Sequence, residues 1–326
     1  MVAWARHGLW HGVRQLGLGE GDQVLVPAWH HGSEVEAFER AGLECVFYDA
    51  GDALDPDPDA LEALLGPRVR ALHLTHALGF PADGPRWRRW CDDRGLFLLE
   101  DAAQAWLAER DLRPVGSDGH AAVFCLYKTF GLSEGAAMTV AAEPPEPVGH
   151  DPRLGVPSLA RRHARWVMAR SGLAYRAVRA VRRRREEQPY DPVRDFELRD
   201  PEDAPWRHTN FVLRRVADPA AAKRRRENYR VLLDGLGHAV LKPFADLPGG
   251  ASPFVFPLVT HDKAALTARL RARGIFPLDL WSTPHPSLPA GQHPVAAERR
   301  ASVLGLPVHQ ELRRADLERI VSVAAG

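Results

Sequence analysis

The feature that most constrains this chain is an alternation. Short apolar runs that read as strands, Gln23–Pro27, Glu44–Tyr48, Val69–Leu74, Leu96–Asp101 and Ala121–Tyr127, are separated by segments with helical spacing. The helical segments are 4–17, Glu34–Ala41, Asp57–Leu65 and Trp87–Arg94, and Gly or Pro punctuates the connections. Near-continuous apolar strands alternating with helices predict a mostly parallel sheet covered on both faces. Ligands of such sheets bind beyond the carboxyl ends of the strands. Two chemically capable residues fall there: Asp101, after the run Leu96–Glu100, and Lys128, after Tyr127.

A chain of 326 residues, 45% hydrophobic and 26% charged, supports one large α/β unit and a smaller one. We place the large domain at 1–205, including a basic helical segment at 155–190, and a small α+β domain at 206–326. A strand at Phe254–Val259 and helices at Ala220–Leu233, Lys263–Arg273 and Ala315–Ala324 build the second. The formal net charge of +1 gives no general reason to expect nucleic acid. There is no run of 18 or more apolar residues. Three cysteines, Cys45, Cys91 and Cys125, cannot all pair and have no metal-ligand spacing, so no metal is expected and a reducing, cytoplasmic setting is. The arginines at 161–185, with Trp166, Val167 and Leu173 among them, read as a solvated helix; membrane contact is the sharper but less favoured alternative.

Lysine usage sharpens the chemistry. Lys and Arg together number 43, and only Lys128, Lys223, Lys242 and Lys263 are lysines. In so arginine-rich a chain, a lysine in an apolar, Gly-flanked segment is a candidate for chemistry that arginine cannot do. A buried amine can lose its proton and attack a carbonyl, whereas guanidinium stays charged. A pyridoxal phosphate site needs such a lysine, a carboxylate for the ring nitrogen, a helix N-terminus for the phosphate and a planar group over the ring. Lys128, Asp101, the helix start at Ala5-Arg6-His7, and Trp29-His30-His31 supply one candidate each. Singly, each has a blander reading: Asp101 as a helix cap or Mg²⁺ ligand, Lys128 as surface, the histidines as caps.

Longer stretches resemble the DegT/DnrJ/StrS-type sugar aminotransferases, enzymes of the aspartate-aminotransferase fold. Leu18–Pro27, Leu72–Asp83, Leu99–Ala105 (with Glu-Asp-Ala-Ala-Gln-Ala the most specific piece), Val115–Phe124, His285–Pro289 and Leu304–His309 carry the resemblance. It implies a three-layer, pyridoxal-phosphate-dependent large domain and transfer of an amino group from Glu or Gln to a keto-sugar, nucleotide-linked, or to a cyclitol. It further implies that Lys128 is the Schiff-base lysine and proton shuttle and that Asp101 pairs with the ring nitrogen. Gln104 would sit near the cofactor's phenolic oxygen and His31 would stack on the ring. The backbone of Arg6 and His7 would hold the phosphate, with Cys125 where a serine usually donates. Asn210 would reach the neighbour's phosphate across a homodimer, and His76 and His285 would face substrate. The chain departs from the pattern in a shortened turn before Lys128, in Ser133–Ala137, and in lacking the amino-terminal segment that completes the family's site, through a trimmed sequence or a misassigned start. These departures leave open a non-aminating relative, dehydratase-like, or a scaffold without activity.

Overall fold

The computed structural model describes residues 1–50, 55–141 and 192–326, with 156, 157 and 160 besides. The basic segment at 161–185 lies outside the described residues. Strands β1 (Gln23–Pro27), β2 (Glu44–Tyr48), β3 (Val69–Thr75), β4 (Phe97–Ala102), β7 (Ala121–Cys125) and β8 (Ala136–Val140) form one sheet in the order β2-β1-β3-β4-β7-β8. All neighbours are parallel except β7 and β8. The chain leaves β1 for β2 on one side and returns to β3 on the other, so a crevice opens beyond the carboxyl ends of β1 and β3.

The pleat decides which side chain enters which layer. Val24 and Val26 of β1 pack into the cluster shared with helices α1 (Ala5–Gln15) and α2 (Ser33–Arg40). Leu25, Leu72, Leu74 and Leu98 pack on the opposite face against α3 (Pro58–Glu62) and α4 (Gly84–Asp92). In β4, Leu99 belongs to the α1/α2 face, so Asp101, two residues on, shares it, while Glu100 points the other way. Two adjacent acids thereby receive opposite environments.

Two short strands, β5 (Glu109–Arg110) and β6 (Arg113–Pro114), form a hairpin. The carboxyl-terminal part builds a second sheet, β10-β11-β9, from β9 (Val255–Val259), β10 (Leu278–Asp279) and β11 (Val303–Pro307), all antiparallel. Helix Ala221–Leu236 packs on Arg314–Ala325 beside it. The expected small α+β unit is present, with β10 and β11 added to the elements read from sequence. One hydrophobic cluster runs from α1 and β1 through Tyr229, Phe256 and Ile320. The 205/206 boundary remains our proposal. The strand expected to run to Tyr127 stops at Cys125, and residues Leu126–Thr129 make a single helical turn, α5, that contains Lys128. No described helix is long and apolar enough to cross a membrane.

Candidate active site

A cleft of about 370 Å³ opens at the carboxyl ends of the parallel strands. The elements that line it contribute by position. The loop after β1 brings Trp29, His30 and His31, β3 ends in Thr75, β4 supplies Asp101, and α5 supplies Lys128. Arg6, Gln104 and Cys125 also line it. The Asp101 side chain is 13% exposed, with Oδ1 accepting the Ala103 N–H at 2.8 Å and Oδ2 standing 3.4 Å from His73 Nε2. Lys128 is half-buried, its Nζ 5.9 Å from the centre of the Phe254 ring. Gln104 Oε1 accepts the Leu78 N–H at 3.0 Å. The Cys125 thiol is pushed up by burial, so it is a neutral, weak donor.

Histidines and one acid surround the cleft floor. His30 Nδ1 donates to Pro27 O at 2.9 Å, leaving Nε2 buried with no partner among the described residues. Burial holds its pKa down to about 4, and holds His31 down as well, so both rings are neutral near pH 7. His31 Nδ1 is likewise buried without a partner among the described residues, and its ring meets Phe196 edge-on at 5.9 Å. Burial works against the Glu34 carboxylate, yet its pKa lies at about 2: in acid, where the neighbouring His30 and His31 take up protons, their charge favours the carboxylate, and a backbone N–H favours it too, so Glu34 is ionised near pH 7. Its oxygens accept the backbone N–H groups of His31 and Gly32, each at 3.1 Å.

The residues fit a bound pyridoxal phosphate in part. An amine and a carboxylate share one crevice of sufficient volume, and the orphaned His30 Nε2 and His31 Nδ1 are polar atoms that a ligand could satisfy. The phosphate corner differs from the expectation. The His7 N–H is engaged with Trp4 O at 3.0 Å, and the wholly buried His7 ring donates through Nε2 to Leu198 O at 2.8 Å. The residue therefore turns to the segment beyond 195 rather than to a phosphate. The Arg6 guanidinium lines the cleft but donates to Asp195 O at 3.0 Å and Glu197 O at 2.7 Å.

Two further expectations, for His76 and His285, are corrected by placement. His76 is 1% exposed and does not line the cleft; Nε2 meets Glu100 Oε1 at 3.0 Å and Nδ1 accepts the Ala82 N–H at 3.1 Å. It belongs with Glu100 to a buried polar cage closed by the N–H groups of Gly116, Asp118 and Gly119. His285 packs at a tilt on Phe196 and its Nε2 lies 3.4 Å from Glu36 Oε2, outside the cleft. Asn210, expected to serve a neighbouring subunit, is exposed on helix Arg207–Val216 and does not line this chain's cleft.

Sequence reasoning missed the opposite wall. Leu278, Asp279, Trp281 and Ser282 come from the carboxyl-terminal part, and Trp281 packs on Trp29 with ring centres 4.9 Å apart. Trp281 has a left-handed backbone (φ 69°), held by Arg300 Nη1 donating to its carbonyl at 2.6 Å. No periodicity marks these residues, because β10 is two residues long. An adjoining pocket of about 40 Å³, shared through Trp29, Thr75 and Trp281, continues toward Tyr48 and Phe244.

Residues 2–146 match the profile of the DegT/DnrJ/EryC1/StrS aminotransferase family. A UDP-N-acetyl-3-dehydro-alpha-D-glucosamine 3-aminotransferase of Acidithiobacillus ferrooxidans is 34% identical over 134 residues, 40% of this chain and 36% of the relative. The match thus spans about a third of that relative's length. The erythromycin biosynthesis sensory transduction protein EryC1 of Saccharopolyspora erythraea is 28% identical over 94% of this chain and 79% of its own. The crystal structure of S. venezuelae DesV in complex with a ketimine intermediate superposes with a TM-score of 0.72 at 25% identity. It covers 99% of this chain and 82% of that one.

Proposed function

We propose that this chain, a relative of the DegT/DnrJ/EryC1/StrS aminotransferase family through residues 2–146, is a pyridoxal-phosphate-dependent aminotransferase. Its acceptor is a keto-sugar, nucleotide-linked, or a cyclitol, and its donor Glu or Gln. The observation that carries the reading is Asp101 and Lys128 facing one cleft from the ends of β4 and β7. Relatives named as transaminases of nucleotide-linked sugars and of a cyclitol, 2-deoxy-scyllo-inosose, support the substrate class.

The cofactor, when bound, supplies an aldehyde for the amine and an electron sink for the substrate carbon. The chain supplies the rest. Asp101, anchored by the Ala103 N–H, presents a carboxylate that keeps a ring nitrogen protonated. Lys128 Nζ is the amine that holds the cofactor and afterwards moves a proton at the substrate carbon. Trp29, Trp281 and Phe254 exclude water from that proton's path. His31 and Gln104 line the cleft, where they would cover the ring and stand beside it. We place the enzyme in the cytoplasm as a homodimer, with Asn210 serving the neighbour's site.

The test is the first half-reaction. Purified chain loaded with pyridoxal phosphate and given L-glutamate or L-glutamine releases about one equivalent of the corresponding 2-oxo acid, and Asp101→Asn slows this by roughly a thousandfold. No release with either donor, from a chain that has taken up the cofactor, contradicts transamination. One observation favours a non-aminating scaffold as the second reading: the His7 N–H and the Arg6 guanidinium are already engaged within the chain. That reading gains if the cofactor fails to bind at all.

A further inference from the structure

Lys128 sits in a helical turn of only four residues, closed by the Phe130 N–H on Leu126 O at 3.1 Å. A turn this short has no ladder of its own to fix its direction, and its carbonyls need partners from elsewhere. The carbonyl of Thr129, one peptide beyond Lys128, has two. Arg225 Nη2 donates to it at 3.2 Å and Gln310 Nε2 at 2.9 Å.

Arg225 is 2% exposed and every part of its guanidinium is engaged: Nε with Gln310 Oε1 at 2.8 Å, Nη1 with Pro253 O at 3.2 Å, Nη2 with Thr129 O. Among the described residues its partners are neutral oxygens, none of them a carboxylate. Burial alone holds its pKa down, to about 10, and it stays charged. Burying a cation with no counter-charge is costly, which makes a purely decorative role a poor account of the position. The place it occupies is specific. One hand holds the backbone next to Lys128; the other holds Pro253, the residue before Phe254, whose ring faces Lys128 Nζ. Phe254 is fixed in turn by its N–H on Leu78 O at 2.8 Å.

We propose that Arg225 and Gln310 form a positioning clamp. They reach from the carboxyl-terminal part to the Thr129 carbonyl and set the direction of the Lys128 side chain toward the cleft. The inference rests on the reading of Lys128 as the cofactor lysine. It also gives the shortened turn a physical support: direction that a longer helix would supply comes from two side-chain donors.

The variants are Gln310→Leu, Arg225→Met and Arg225→Lys, each compared with the wild-type chain by melting temperature. Two readouts separate positioning from mere integrity. Affinity for pyridoxamine phosphate, which makes no covalent link, reports the shape of the cleft. The rate at which added pyridoxal phosphate becomes borohydride-trappable at Lys128 reports the direction of the amine. The clamp predicts that Gln310→Leu slows trapping roughly tenfold or more while pyridoxamine phosphate affinity stays within about threefold. It also predicts that Arg225→Lys recovers part of what Arg225→Met loses. Should Arg225→Met fail to fold, Gln310→Leu, at a half-buried position, decides. Trapping at the wild-type rate in folded variants overturns the clamp, as does a loss that only mirrors weakened pyridoxamine phosphate binding. A wild-type chain that traps nothing at Lys128 overturns the underlying reading instead.

Discussion

At the residue scale the site is a contrast between adjacent side chains. Glu100 and Asp101 are neighbours, yet the pleat sends one into a cage of N–H donors with His76 and the other into the cleft. Burial would raise the Glu100 carboxyl, and His76 with the N–H groups of Gly119 and Gly116 more than offsets it, so Glu100 stays ionised. That Asp101 and Lys128 would face one cleft was legible because both follow apolar runs that read as strands and carry groups able to do chemistry there. His76 was misplaced because the alternating pattern does not say what a buried imidazole meets. A pH dependence follows from His30, whose pKa falls from 6.5 to about 4 on folding. The unfolded chain takes up that proton first as pH drops, so stability is full above pH 6.5 and declines from there to about pH 4. His30 alone therefore costs about 2 kcal/mol between pH 7 and pH 5. His30→Asn keeps a donor for Pro27 O and cannot protonate in this range. Urea unfolding at the two pH values should show that the variant loses about that much less stability than the wild type. An equal loss in both contradicts the assignment.

At the element scale, strand and helix order was readable because each element carries its own period and stop signal. The turn holding Lys128 was not, since a four-residue helix has no period to detect. Nor was the packing of the segment beyond 192 on α1. Arg6, His7 and His11 bond to carbonyls of Asp195, Glu197, Leu198 and Pro201, a docking that no local pattern announces. Gly32 shows how tightly that segment seats. Its φ is 113°, and a Cβ there would meet the Phe196 ring at 2.5 Å. Gly32→Ala should cost roughly 3 kcal/mol, from backbone strain and overpacking together. Adding Phe196→Leu should return only the packing share, because the strained φ remains. Melting curves of the single and double variants check this, and a neutral Gly32→Ala would show that the segment does not bear on His31.

At the scale of the whole molecule, the cleft is closed by two parts of the chain that composition had suggested only as separate units. The parallel sheet presents the amine and the carboxylate; Trp281, Leu278 and the Arg225–Gln310 pair arrive from the carboxyl-terminal part. The fold class and the meeting of Asp101 and Lys128 in one cleft could be read from sequence, since strand ends are where such sheets bind. The facing wall could not, because it depends on tertiary contacts between positions such as Trp29 and Trp281, far apart in the chain. The central claim is that Lys128 is the residue that holds the cofactor. Borohydride reduction of the chain with added pyridoxal phosphate, followed by peptide mapping, tests it most directly. The account predicts one adduct, on Lys128, absent from Lys128→Ala. An adduct on another lysine, an undiminished adduct in Lys128→Ala, or none at saturating cofactor would contradict it.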